Sequence, residues 1–268
     1  MIVAIAGMLL AGCSSDNVEE QTSEQTTVKL TFSPYDMEPL TRTATSISNY
    51  CSHLDVWLSD GSTTTSVHQG SADAAFGTLS VTLDKTKTYT LYAVAHKCAS
   101  DATMSDGVIT FPDDKVTHSM FYTTTFSPAT TTNVNALMNR IVADFRLEIP
   151  DDIPTDAVKF RFTVNGVYDR WNVSAGGTHQ LDRVSTINYN GTSAVFNVYA
   201  IVTDAQTTHT VTVTALDEND QEVQTRTFVD VPLRNGYKTN YRGQFFTDAA
   251  FTSTFTAEDW NEYDTVDF

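Results

Sequence analysis

The chain has 268 residues and a formal charge of −17, from 33 acidic against 16 basic side chains. That balance argues against nucleic acid and anionic lipid headgroups as partners, since both are held through basic surfaces. Only 18% of residues are charged. Thr, Val, Tyr and Phe, which suit pleated half-buried surfaces, recur throughout and point to an exported all-β protein.

An apolar run from Ile2 closes on Leu10-Ala11-Gly12-Cys13. It is too short to span a bilayer, so positions 1–12 read as a removable lipoprotein signal peptide. Lipoprotein processing needs small residues beside the scissile bond and a thiol at the first mature position. Cys13 is therefore the expected lipidation site. Acyl chains there, each worth about 0.8 kcal/mol per buried methylene, would hold the protein on a membrane. Positions 13–26 are polar and acidic, cannot bury enough surface to fold, and read as a flexible tether.

From Thr27 the chain alternates with period two. Val28, Leu30 and Phe32 mark a first strand; Leu54, Val56 and Leu58 mark a second, ended by Ser59-Asp60-Gly61. Leu79 to Leu83, Tyr89 to Ala95 and Met120 to Phe126 follow. Cys51 precedes the second of these strands and Cys98 follows the strand ending at Ala95. If those strands pair antiparallel, a disulfide is geometrically possible and would stabilise by roughly 4 kcal/mol. Two unpaired, mostly buried thiols are the other reading.

Ser127 to Asn133 is rich in turn formers and reads as a linker. Beyond it Ile141 to Ile149 alternate and stop at Pro150. Val158 to Val164 repeat the pattern, Ala194 to Val202 form an apolar run, and Tyr237 to Phe245 form another strand. A hairpin is expected to set Val211, Val213 and Ala215 against Val223, Thr225 and Thr227, across the acidic turn Asp217 to Asp220. No stretch carries a helical stripe of ten residues. The expectation is two tandem β-sandwiches, over 27–132 and 133–268.

Catalytic constellations are missing. His53, His68, His96, His118, His179 and His209 look scattered without metal spacing, and no nucleophile elbow or phosphate loop occurs. The acidic turns Asp113-Asp114 and Asp217 to Asp220 read as solvated rather than calcium-binding. Trp57, Trp171 and Trp260 read as core, with a sugar-stacking platform as the alternative. The chain is expected to be no enzyme and to need neither cofactor nor metal.

The order of the segments carries a resemblance. Thr27-Val28-Lys29-Leu30-Thr31-Phe32 leads to Leu40-Thr41-Arg42-Thr43-Ala44 and then to Cys51-Ser52-His53-Leu54-Asp55-Val56-Trp57. Asn139-Arg140-Ile141-Val142-Ala143-Asp144-Phe145 opens the second half, and Val231-Pro232-Leu233-Arg234-Asn235-Gly236-Tyr237 stands near the end. This order resembles the fimbrillin superfamily of type V pili, most closely its anchor and accessory (minor fimbrillin) subunits. The resemblance implies two transthyretin-like β-sandwiches and no enzymatic activity. It also implies a lipid-held place at the outer membrane and binding to other pilus subunits by β-strand addition.

In polymerising subunits of that superfamily an Arg-specific protease removes the first strand, whereas anchor subunits keep it. Arg42 stands where such a cut would fall; an ordinary loop arginine is its other reading. The segment from Phe251 through Trp260 reads either as the last strand of its own sandwich or as a strand donated to a neighbour. A surface glycan-binding lipoprotein is the alternative from another class.

Overall fold

The computed structural model describes residues 24–35, 46–247 and the backbone of 252–256. Within these limits the fold is all-β, with two short 3-10 turns. The strands in chain order are β1 (Gln25–Pro34), β2 (His53–Ser59), β3 (Thr64–Gly70), β4 (Thr78–Asp84), β5 (Tyr89–His96), β6 (Thr103–Ser105), β7 (Val108–Thr110), β8 (Met120–Phe126) and β9 (Asn133–Arg140). They continue as β10 (Ala143–Glu148), β11 (Lys159–Asn172), β12 (Gly176–Asn188), β13 (Val195–Ala200), β14 (Thr207–Leu216), β15 (Glu222–Leu233), β16 (Lys238–Arg242) and β17 (Thr252–Thr256).

The first sandwich is a single hydrogen-bonded path, β3-β2-β5-β8-β9-β1-β4. It bends where β8 touches β9 through only Met120–Arg140 and Phe121–Asn139, so its two halves fold face to face. Alternating residues of both halves fill the space between them: Leu54, Val56 and Leu58 from one, Val28, Leu30, Ala136 and Met138 from the other. The second sandwich packs β13-β10-β16-β17 against β15-β14-β11, with β12 also paired to β11. Its core is richer in aromatics, with Phe145, Phe160, Phe162, Phe196 and Phe245 buried together.

The two sandwiches repeat one topology. In each, the first strand pairs antiparallel with the fourth (β1–β4, β10–β13) and parallel with the last (β1–β9, β10–β16). In each, the second strand lies between the third and fifth (β3-β2-β5, β12-β11-β14). Strand β8 then caps β5 as β15 caps β14.

A third apolar cluster joins the units. Trp57, Val94 and Phe121 face outward from the first sandwich and pack with Ile141, Val142, Trp171, Tyr199 and Ile201. The crossover from β5 to β8 supplies Ile109, Phe111 and Val116 to the same cluster. Its hairpin β6–β7 extends the second unit's sheet by pairing along the far half of β11. Arg183 on β12 pins this crossover, donating to the carbonyls of Asp114 at 3.2 Å and Val116 at 2.9 Å.

Three local expectations change. The turn-rich Ser127 to Asn133 is a tight turn, in which the Thr130 and Thr131 amides bond the Ser127 carbonyl. It delivers β9 into the first sheet, so that sheet runs through Arg140 rather than ending at 132. Composition alone does not separate a hairpin turn from a linker. The β14–β15 hairpin is slipped by one residue, with Val213 opposite Arg226 and Ala215 opposite Gln224, because the pairing shifts beside Leu216. Strands β3 and β12 were not foreseen, since much of each is solvent-facing and polar.

Candidate functional site

The candidate site centres on β1, an inner strand of the first sandwich. It sits inside its sheet although it is the first strand of the chain. Residues 25–31 pair antiparallel along β4, and residues 29–34 pair parallel along β9. Alternation sends Val28, Leu30 and Phe32 inward, where they are at most 3% exposed. At the two ends of its pairing with β9, the Lys29 amide is held by the Thr132 carbonyl at 2.9 Å and the Tyr35 amide by that of Met138 at 2.8 Å. Phe32 donates to the Gly77 carbonyl at 2.9 Å. Gly77 lies at φ +86°, and a Cβ there would fall 2.8 Å from Ile47, so only glycine fits.

Strands β4 and β9 are bridged by β1 and by no direct pairing of their own. Without β1 they would flank a slot with unpaired backbone groups on both walls and apolar pockets at alternate positions. That arrangement accepts an extended strand of matching alternation. The equivalent slot in the second sandwich is filled by β10, which is tied into the chain on both sides.

At the other end of the chain, β17 pairs antiparallel with β16, Thr252 opposite Arg242 and Thr256 opposite Lys238. It is an edge strand added beyond the repeated topology. This matches the reading of the segment as the last strand of its own sheet, and among the described residues no strand pairs with the other edge of β17.

Cys13, Arg42 and Trp260 lie outside the described residues. Cys51 and Cys98 are both buried and both free, so the possible bridge is not formed. They belong to different cores: Cys51 packs inside the first sandwich and Cys98 in the cluster between the units. β2 and β5 do pair antiparallel, but the cysteines that flank them pack into these separate cores. Burial pushes the Cys51 thiol up to about 12, which makes it unreactive.

Trp57 and Trp171 are 4% and 8% exposed in the interface cluster, so they build no sugar platform. Asp217 Oδ1 accepts the amides of Asn219 and Gln221, both at 2.8 Å, closing its own turn. Three of the histidines, in contrast, are not scattered. His53, His68 and His96 converge on Asp55 and Asp101. Strand register is the signal that sequence reading missed: Asp55 lies opposite His68, and His53 opposite His96.

No family model matches the chain, and no curated protein matches its sequence. Solved structures do. A candidate adhesin from Bacteroides ovatus is 13% identical with a TM-score of 0.52, covering 86% of this chain and 95% of that one. A candidate adhesin from Bacteroides thetaiotaomicron is 12% identical with a TM-score of 0.50, covering 84% and 95%. The fimbrial anchor protein Mfa2 from Porphyromonas gingivalis is 11% identical with a TM-score of 0.46, covering 81% and 90%. The first two likenesses run nearly end to end and show that the tandem all-β architecture is a shared fold.

Proposed function

We propose that the chain is a structural subunit of a type V pilus, held in the outer membrane through lipid on Cys13 and serving as an anchor or accessory pilin. It has no enzymatic role and engages other subunits by β-strand addition. The observation that carries this reading is β1, a strand that fills a slot between two strands not otherwise bonded to each other. The fold shared with the Bacteroides candidate adhesins supports a surface role. The resemblance in segment order supports the pilus in particular.

In the anchor reading β1 stays in place and the subunit offers only its C-terminal end, around β17, to the next subunit. A second reading is a stalk or tip subunit, favoured by one specific feature. Every described strand except β1 follows Arg42, so a single cut there would release β1 alone.

Intact-mass measurement of protein from native membranes separates the two. An anchor begins at lipidated Cys13, whereas a mature chain beginning at Thr43 assigns the polymerising role. Cys13→Ala protein is expected to leave the membrane fraction, and palmitate labelling that survives the substitution would overturn the lipid anchor. Deleting positions 257–268 is expected to leave a folded, membrane-bound protein that no longer retains pili. Unchanged retention would rule out donation by those residues.

A further inference from the structure

On the outward face of β2, β3 and β5, opposite the first core, a group of ionisable side chains gathers where the crossover leaves the first sandwich. Asp55 is fully buried, yet its carboxylate faces three donors. The amide of Ala102 and His96 Nε2 reach Oδ2 at 2.9 and 2.7 Å, and His68 Nδ1 reaches Oδ1 at 2.6 Å. Asp101, half exposed at the end of the crossover's first loop, is held through Oδ1 by His53 Nδ1 at 3.2 Å. Its other oxygen, Oδ2, stands 4.0 Å from His68 Nδ1. The His53 ring in turn stacks on His96, centroids 5.3 Å apart.

The division of labour among these atoms is informative. Each carboxylate has one oxygen held by a neighbouring imidazole, with a backbone amide added on Asp55. The other two oxygens, Asp55 Oδ1 and Asp101 Oδ2, converge on one imidazole nitrogen. The three atoms lie within 4.8 Å of one another. Ligating carboxylates are usually fixed in this way by outer hydrogen bonds, while their free oxygens face the ion.

We propose that Asp55, His68 and Asp101 form a binding site for a divalent ion of the zinc class. One imidazole with two carboxylates suits such a borderline ion better than Ca²⁺, which prefers oxygen ligands throughout. With bonds near 2.0 Å, tetrahedral ligands stand roughly 3.3 Å apart. The 2.6 Å contact therefore opens and the 4.0 Å contact closes, each by less than about 1 Å. His68 and Asp101 are partly exposed and can make that adjustment; their exposure also gives the ion its entry path and leaves room for water as a fourth ligand. His68 passes to the Nε2–H tautomer as the ion binds, which frees the Nδ1 lone pair without net proton change in the neutral ring.

The ion would join three segments, β2, β3 and the loop that starts β6. It would thus brace the root of the β6–β7 hairpin, which the first sandwich lends to the second unit's sheet.

The test is a calorimetric titration of the full chain with Zn²⁺ in a Cys13→Ser background, so that the N-terminal thiol adds no ligand. One ion per chain is expected, with a raised melting midpoint. His68→Ala and Asp101→Asn are expected to abolish both effects, the rise in midpoint being read for each against its own midpoint in chelator, since His68→Ala also loses the hydrogen bond to buried Asp55. His53→Gln, which touches no proposed ligand atom but loosens the outer hydrogen bond on Asp101 and the stacking on His96, is expected to bind roughly tenfold more weakly. Co²⁺ on the parent should give the visible absorption of a tetrahedral site, a readout independent of any variant. The proposal is overturned by a parent that binds no Zn²⁺ saturably, by variants that bind as the parent does, or by a featureless Co²⁺ spectrum.

Discussion

The two sandwiches carry the same strand order but hold their first strands differently. β10 is enclosed by the chain, following β9 after Ile141-Val142 and running on to β11. β1 occupies the equivalent slot, yet among the described strands it has none before it, and the stretch holding Arg42 joins it to β2. The same topology thus gives one slot whose strand is joined to neighbouring strands at both ends and one whose strand is joined to the following strands only through the stretch holding Arg42. A fold that assembles by strand exchange needs the second kind. Connectivity, rather than sheet geometry, is what sets the two first strands apart.

The largest effect should come from removing β1. Deleting residues 25–34 exposes the pockets of Val28, Leu30 and Phe32, a loss of about 6 kcal/mol from these side chains alone. Hydrogen exchange should then show β4 and β9 unprotected while β10, β13 and β16 stay protected. A peptide of residues 25–34 added in trans should restore protection. Equal loss in both sandwiches would break the comparison.

Phe145→Ala makes the converse test in β10. Its ring lies 5.6 Å from that of Tyr241 and 5.9 Å from that of Phe228, and truncation should cost about 4 kcal/mol. Denaturant unfolding should show the second sandwich weakened, and no added peptide should rescue it.

An effect of similar size is expected from pH at the junction between the units. His118 is buried, its Nδ1 donates to the Tyr50 carbonyl at 3.3 Å, and its Nε2 accepts from Arg140 at 3.2 Å. Burial, helped by the Arg140 charge, lowers its pKa from 6.5 to about 3. The unfolded chain therefore takes up the proton first as pH falls. The stability His118 contributes is whole above pH 6.5 and is lost progressively toward pH 3, by an amount on the order of 5 kcal/mol. Melting curves across this range should show the loss, and His118→Gln should flatten it. A pH response unchanged by the substitution would reject the assignment.

The smallest effect is expected at the cysteines. With Cys51 and Cys98 packed in different cores, reductant should leave the melting midpoint unchanged, and both thiols should alkylate once the chain is unfolded. A mass two hydrogens lower without reductant would mean that a bridge forms.

Much of the fold was legible in the sequence where a strand has one buried and one solvated face. Val28-Leu30-Phe32, Leu54-Val56-Leu58 and Phe160-Phe162-Val164 each announce their inward side, and each is buried as expected. β3 escaped because an edge strand needs few apolar residues, and β9 because its delivering turn reads as a linker. The histidine cluster escaped because its members lie on separate strands, and only their pairing brings them together.

By itself, then, the sequence determined the all-β class and the inward face of most strands, because side-chain alternation is a local property that burial reads directly. Tertiary structure alone decided which strand lies beside which. It set β1 between β4 and β9, carried β6–β7 onto β11, and drew Asp55, His68 and Asp101 into one group. Sheet order rests on hydrogen bonds between segments far apart in the chain, and any strand's backbone offers the same donors and acceptors. The choice of partner therefore falls to the packing of the whole.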